Sequence, residues 1–414
     1  MMLSERVWLE TFFLLGVLLL WVVQPIPLYL TSLSILLITS IFGILSFNDV
    51  VDTIFDPVIF LFVGVFAFVN VLQRHLIIER VICKFLPEKN FASEKSIFIT
   101  SALAFFLSSF VSNTAVTCYF LPFTPTLIRL GCKNLTKRFL LTISIFSNLG
   151  GLLTPVGTPP NAITIANLKQ QGIEITFFGW FSKAFPVALT TAILGYLMLM
   201  ILFPTEQEVR QGRTSQNLCK NPTNHNSEPW TLKDLILILS CIVCIFLWLL
   251  SGVFSLPVWF PVWLVLLFLV VFRFQGERLA EIDIFLKMRW DLILFLIGGL
   301  LVGKFIENSV LLTLIKDSNL LRESSFAVLA VTVITSNFVS NTATASILTP
   351  IFSQVDPDVS VAVGLACSFG FILPISTATN TLIYATGLLA LRDMVFVGSL
   401  LDFFGIFMIW LIAT

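Results

Sequence analysis

Charge is scarce in this sequence. Only 12% of its 414 residues are Asp, Glu, Lys or Arg, whereas soluble domains carry about 25%. A soluble globular fold is excluded, because it could not hide the apolar remainder. The 24 basic and 24 acidic residues cancel, and no basic or acidic tail is present, so nothing points to nucleic acid as a partner. Histidine is almost missing. His75 and His225 are the two, and both fall in connecting segments. A membrane-embedded enzyme would need a nucleophile–base pair or a metal cluster inside the apolar runs, and these residues cannot supply one. The seven Cys are scattered. Cys241 and Cys244 form a C-x-x-C inside a membrane-length run with no second ligand pair, which reads as two packed thiols rather than a metal or redox site. The N-terminal region lacks the basic segment and small-residue cleavage site of a signal peptide, so its first apolar run is expected to remain as a span.

What is abundant is apolar. Hydrophobic residues make up 57%, with 42 Phe and nine Trp, and the mean hydropathy is +0.97. Lipid must be the solvent for most of this surface. With about 20 apolar residues needed per span, the first half has spans near 8–23, 26–46, 55–73, 139–168 and 175–203. The second half has spans near 234–252, 257–272, 291–312, 359–389 and 393–413. The polar stretch 204–233, rich in Asn, Gln, Ser and Pro, reads as a flexible linker.

Two further apolar stretches, 97–128 and 325–352, each hold the same hexapeptide. Residues 110–115 and 338–343 both read Phe-Val-Ser-Asn-Thr-Ala, and Pro122 and Pro350 follow at equal distance. Other segments match in the same order. Asp56-Pro-Val-Ile-Phe-Leu-Phe-Val-Gly64 pairs with Asp291-Leu-Ile-Leu-Phe-Leu-Ile-Gly-Gly299. Gly151-Leu-Leu-Thr-Pro155 pairs with Gly370-Phe-Ile-Leu-Pro374, and Asn161 then falls opposite Asn380. An internal duplication follows, with halves 1–203 and 234–414. The hexapeptide stretches are too long for one straight span and too short for two. Backbone at membrane depth must be paired internally or face a wet cavity, which a re-entrant helical hairpin tipped by Ser-Asn-Thr satisfies. If 97–128 is such a hairpin, its two basic flanks lie on the same side, and 18 of the 24 Lys and Arg become cytoplasmic. The linker is then cytoplasmic, both termini lie outside, and the Asn134-Leu-Thr136 sequon is inaccessible to glycosylation. Each half crosses five times, so the second is inverted. Hairpin 97–128 opens to the cytoplasm and hairpin 325–352 opens outside. The expected fold is an all-α polytopic membrane protein of two inverted repeats, each with five spanning helices and one re-entrant hairpin.

A hairpin tip offers oxygens and N–H groups together. The incoming helix ends with unpaired carbonyls, the outgoing helix starts with free amides, and Ser112, Asn113 and Thr114 are N-cap residues. Ser147 to Asn161 holds three Gly and three Pro, so the span 139–168 is expected to break, with an unwound middle at 154–160. Its counterpart, the span 359–389, breaks at Leu373-Pro-Ile-Ser-Thr-Ala-Thr-Asn380. These motifs contain no charged residue. A polyvalent anion held by neutral dipoles alone would be costly to desolvate, and a bound Na⁺ would supply the missing charge. Lys304 and Glu307 either pair with each other or place a cation at the outer mouth. Asp56 and Asp291 begin equivalent spans and are expected to cap them.

At these residues the chain resembles the divalent anion:sodium symporters, within the ion-transporter superfamily. That family is marked by two Ser-Asn-Thr tips, here Ser112-Asn113-Thr114 and Ser340-Asn341-Thr342, and by two Thr-Pro-Pro-Asn loops. Thr158-Pro-Pro-Asn161 matches the first loop, but Thr377-Ala-Thr-Asn380 replaces the second and is looser and more polar. The resemblance covers essentially the whole chain and implies secondary transport of a small divalent anion, a C4-dicarboxylate ahead of sulfate. It implies a first sodium site at Ser108, Ser112, Asn113 and the Gly157 carbonyl. A second would use Ser336, Asn341 and backbone at Val339 and Ser376. The anion would lie against Asn113, Thr114, Thr158, Pro159, Ser340, Asn341, Thr342 and Thr377. A homodimer in the plasma membrane, moving its hairpin domain as an elevator, is implied as well. Some relatives in the superfamily are sodium-independent exchangers or arsenite- or proton-linked permeases, so symport and exchange both remain open here.

Overall fold

The computed structural model describes residues 10–17, 19–20, 25–41, 45–86, 93–205, 230–251, 253–254, 256–274, 277–307, 309 and 325–413. Most of the linker 204–233, together with His225, lies outside these residues, as does the Glu307 side chain. Numbered from Leu28, the first half contains α1 (Leu28–Ile41), α2 (Phe47–Ile54), α3 (Pro57–Arg74), α4 (Ile77–Phe85), α5 (Glu94–Leu107), α6 (Asn113–Phe120), α7 (Thr124–Arg129), α8 (Lys133–Gly151), α9 (Pro159–Gln170) and α10 (Phe177–Leu202). The second half contains α11 (Leu232–Leu250), α12 (Phe260–Val271), α13 (Trp290–Glu307), α14 (Ser325–Phe338), α15 (Asn341–Val355), α16 (Pro357–Ala366), α17 (Ala378–Ala385) and α18 (Leu391–Ala413). The only strands among the described residues are β1 (Arg273–Phe274) and β2 (Glu277–Arg278), an antiparallel pair. Among the described residues, four stretches of helix are long and apolar enough to cross a membrane: Phe47–Arg74, α10, α11 and α18.

Local chemistry sets the helix ends. Ser46 and Asp49 form a capping box that starts α2 ahead of the expected span. Asp56 then caps α3, its carboxylate accepting from the Val58 amide with Pro57 at the first helical position. Asp291 departs from the expected cap. It lies inside the first turn of α13 and binds Arg289 at 2.7 Å, because the preceding arginine offers a charged partner. The two long hexapeptide stretches each break at the motif. Ser112 caps α6 and Ser340 caps α15, each hydroxyl accepting from the amide three residues on.

Helix α8 is the central element. Every residue from Arg138 to Gly151 is buried, and α5, α6, α7, α10 and α17 pack around it. At one end the Arg138 guanidinium, fully buried, holds both Glu94 carboxylate oxygens, at 3.0 and 2.6 Å. Lys137 binds Asp393 at 2.7 Å. Glu94 and Arg138 belong to the two flanks of the first hairpin stretch, so these flanks lie together. The tip lies deeper: Asn113 donates to Asn148 at 3.2 Å. Ten residues of helix separate Arg138 from Asn148, about 15 Å, roughly half the thickness of a bilayer's hydrocarbon core. The second hexapeptide stretch runs along α18 in the other direction. Asn337, near its break, meets Asp402, while Phe326, near its start, packs edge-on against Trp410. Asp393, at the opposite end of α18, is the residue held by Lys137.

Glycine makes the close approach of these elements possible. A Cβ on Gly150 would overlap the Phe105 carbonyl of α5, and a Cβ on Gly151 would lie 2.6 Å from Asn113 Oδ1. Gly150→Ala should therefore destabilise the protein by about 1–3 kcal/mol, the usual cost of overpacking. Gly16→Ala, where nothing lies within 4 Å, should be neutral or stabilising. Thermal unfolding of the purified variants measures both.

Candidate functional site

Both hexapeptides open into one cavity of about 440 Å³. Its walls include Ser112 to Ala115 from the first tip and Ser340 to Thr342 from the second. They also include Val156 to Pro159 and Ser376 to Thr379 from the two broken helices. The chain between α8 and α9, and that between α16 and α17, is non-helical. Each break is braced by one carboxamide. Asn161 Nδ2 donates to the carbonyls of Gly151 at 2.9 Å and Thr154 at 2.7 Å. Asn380 Nδ2 donates to those of Gly370 and Leu373, each at 3.0 Å. These are matching positions of the two halves.

The tips match in the same way. The Ser108 hydroxyl donates to Asn113 Oδ1 at 2.6 Å, and the Ser336 hydroxyl reaches Asn341 Oδ1 at 2.8 Å. A Cβ on Gly370 would lie 3.0 Å from Asn341 Oδ1, so the second tip also rests on a glycine. Of the predicted residues, Ser112, Asn113, Thr114, Gly157, Thr158, Pro159, Ser340, Asn341, Thr342, Ser376 and Thr377 line the cavity. Ser108, Ser336 and Val339 do not, and the two serines stand behind the tips against the asparagines. Gly157 packs on the Gly151 backbone. The Ser376 hydroxyl turns from the cavity toward the Asn337 carbonyl, at 2.9 Å. Lys304 is not part of the lining.

Among the lining residues that sequence reasoning missed, which include Asn70, Gln73 and Thr379, three bear most on the chemistry. Asn148, on α8, joins the halves. It accepts from Asn113 Nδ2 and from the Thr379 hydroxyl, each at 3.2 Å, and donates to Thr377 Oγ1 at 3.3 Å. The other two are Lys287 and Arg289, whose side chains reach the lining from the segment before α13. They are the only charged residues among those that line the cavity. Each is also held by an acid, Asp283 at 2.8 Å and Asp291 at 2.7 Å. An amide inside an otherwise apolar helix was the available signal for Asn148. For the two cations there was none beyond their place in a basic loop. The described residues contain no cluster of three or more His, Cys, Asp or Glu that could hold a metal ion.

The arrangement suits a small anion: amide and hydroxyl donors at the tips, two cations in the lining and no carboxylate in it. Comparison with known proteins agrees with this chemistry. A family model described as "citrate transporter" matches residues 18–367. The chain belongs to that family. It is an integral membrane transporter of the divalent anion:sodium symporter type, in the ion-transporter superfamily, and not an enzyme. It is 28% identical over 404 residues to an uncharacterized transporter of Methanocaldococcus jannaschii, covering 92% of this chain and 88% of the relative. It is 23% identical over 433 residues to a sodium-dependent dicarboxylate transporter of Staphylococcus saprophyticus, covering 95% and 83%. It is 24% identical over 509 residues to the human Na⁺/dicarboxylate cotransporter 3, covering 94% and 84%.

Asn148→Leu keeps the side-chain size but removes three polar contacts from a half-wet site. Each buried group left unpaired costs about 1–3 kcal/mol, so substrate uptake by the variant in proteoliposomes should fall at least tenfold. Wild-type uptake would show that the bridge is dispensable.

Proposed function

We propose that this transporter is a sodium-coupled symporter of divalent anions, with C4-dicarboxylates such as succinate, malate and fumarate ahead of sulfate. The observation that carries this reading is the single cavity shared by two identical Ser-Asn-Thr tips, lined by Lys287 and Arg289 and by no acid. The names of the staphylococcal and human relatives point to the same substrate class and coupling ion.

Na⁺ sits at each tip. In the first, Ser108, Ser112, Asn113 and the Gly157 carbonyl surround it. In the second, Ser336, Asn341 and backbone at Val339 and Ser376 do so. Without the ion, the Ser108 hydroxyl donates to the Asn113 oxygen, and the Ser336 hydroxyl lies within reach of both the Asn341 oxygen and the Cys367 carbonyl, at 2.8 and 2.5 Å. When Na⁺ arrives, the hydroxyl rotates its hydrogen away, and both oxygens face the cation. At the second tip the Cys367 carbonyl takes that hydrogen, so Ser336 is paired in both states, which avoids the cost of an orphaned polar group. The bound cations offset the charge of the anion, whose carboxylates or sulfate oxygens lie against Asn113, Thr114, Thr158, Pro159, Ser340, Asn341, Thr342 and Thr377. The neutral donors then need not bear the desolvation cost alone.

The hairpins enter from opposite faces. Supporting this, Arg138 joins the two flanks of the first stretch at the Asp393 end of α18, and Phe326 lies at the Trp410 end. Two hairpins of opposite sense around one cavity suit alternating access by an elevator motion. In this reading each repeat has five spans and a hairpin, the linker is cytoplasmic, both termini lie outside, and the unit is a homodimer in the plasma membrane.

Uptake of labelled succinate and sulfate into proteoliposomes, with and without an inward Na⁺ gradient, tests the proposal. Succinate uptake that depends on the gradient is expected. Uptake driven only by counter-substrate would replace symport with exchange, and no transport of either anion would refute the substrate class. Asn113→Ala and Asn341→Ala should each lower uptake at least tenfold with little change in thermal stability, since each removes an oxygen and a donor from a wet cavity.

A further inference from the structure

Helix α18 carries an acid at its centre. Asp402 lies eleven residues after Leu391, about 16 Å along the helix, and is only 3% exposed. An ionisable group at that depth is expensive, and such groups are retained for use. Asp402 does not line the cavity. Its carboxylate accepts from Asn337 Nδ2 at 2.6 Å and from the Phe371 amide at 3.4 Å. Asn337, 1% exposed, passes the contact on. Its Oδ1 accepts from the Ile372 amide at 2.9 Å and lies 3.4 Å from the Ser376 hydroxyl, which itself donates to the Asn337 carbonyl at 2.9 Å. The neighbouring Ser336 holds Asn341 at the tip. Helix α18 also presses directly on this break. A Cβ on Gly398 would overlap the Phe371 carbonyl, and one on Gly405 the Phe369 ring.

Among the described residues the first half has no buried acid at the matching place; the Trp180 indole of α10 donates instead to the Leu152 carbonyl of its break, at 2.9 Å. The first half's residue at the place of Asn337 is Ser109, whose carbonyl simply accepts from the Thr154 hydroxyl. Its loop is stiffened by Pro155, Pro159 and Pro160, whereas the second loop has Pro374 alone. Proline in a loop limits the freedom that must be given up on ordering. In the second half hydrogen bonds can do the same work.

We propose that Asp402 is a positioning residue for the second tip. Through Asn337 it fixes the 371–376 loop and Ser376, and so sets the tip's affinity for its cation, in place of the prolines of the first half. Asp402 touches neither ion nor anion. The inference rests on the sodium reading of the second tip.

The test compares Asp402→Asn, Asn337→Asp and the reciprocal double variant of the full chain. Either single change spoils the pairing: the first sets two carboxamides face to face, so that the new NH₂ meets either Asn337 Nδ2 or the Phe371 amide, and the second sets two carboxylates face to face. The double variant again opposes one carboxylate to one carboxamide, with the acid now accepting from Ile372 and Ser376. Each single variant should raise the half-saturating Na⁺ concentration for succinate uptake at least tenfold, with the maximal rate at saturating Na⁺ changed less than threefold. Hydrogen exchange at the Phe371 and Ile372 amides should quicken at least tenfold. The double variant should return all of these to within about threefold of wild type.

Failure of the double variant to recover, or single variants with unchanged exchange and Na⁺ dependence, overturns the inference. If a single variant does not fold, the double variant decides by the same recovery. If the wild type transports without Na⁺, the sodium reading falls on its own. The positioning role is then decided by the exchange rates and the KM for succinate, which the single changes must move and the double must restore.

Discussion

Asn161 and Asn380 each hold a broken helix open at the depth of the cavity. A helix interrupted inside a membrane leaves carbonyls without their helical partners, and lipid cannot supply one. Here a single carboxamide in each half spans the break, reaching carbonyls three residues apart. The breaks then present hydroxyls and backbone to the cavity with these carbonyls paired. The rest depends on this. The tips can rest on Gly151 and Gly370 only because those glycines lie where the helices α8 and α16 give way to the breaks. Helix α8 can likewise carry Asn148 into the site only because its own end stops there.

The site is also where the two halves meet. The Ser144 hydroxyl donates to Asn380 Oδ1 at 2.7 Å, and Asn148 touches Asn113, Thr377 and Thr379. Asn167 of α9 donates to Thr349 of α15 at 2.9 Å. Polar contacts between helices in a membrane are worth about 1 kcal/mol each, less than their geometry suggests. Their value here lies in direction. They tie the first tip to the second break and the second hairpin to the first broken helix, so neither clamp can shift without the other.

The parts legible in the sequence were those where the chain breaks its own pattern. Two identical hexapeptides, a Gly- and Pro-dense run and Thr158-Pro-Pro-Asn161 cannot continue a helix, so they marked the tips and breaks that now line one cavity. Asp56 was legible as a cap because Pro57 follows it. Residues whose roles are tertiary were not legible. Nothing local says that Arg289 reaches the lining or that Asn148 joins the halves. Helix α2 was hidden because its eight residues fall in the short polar connection between two expected spans. Asp291 read as a cap by analogy with Asp56, but an arginine two residues earlier captured it.

The two halves reach similar geometry by different chemistry. The first buys rigidity with proline, which restricts the chain before folding and needs no partner. The second uses Asn337, Asp402 and Ser376, which are rigid only while every member is paired. The proline-stiffened loop has fewer conformations to lose, and the Trp180 indole of α10 holds its Leu152 carbonyl besides. A loop held by Asp402 keeps its shape only while α18 stays in register with α14 and the break. Any motion that slides α18 against them must therefore loosen the support of the second tip.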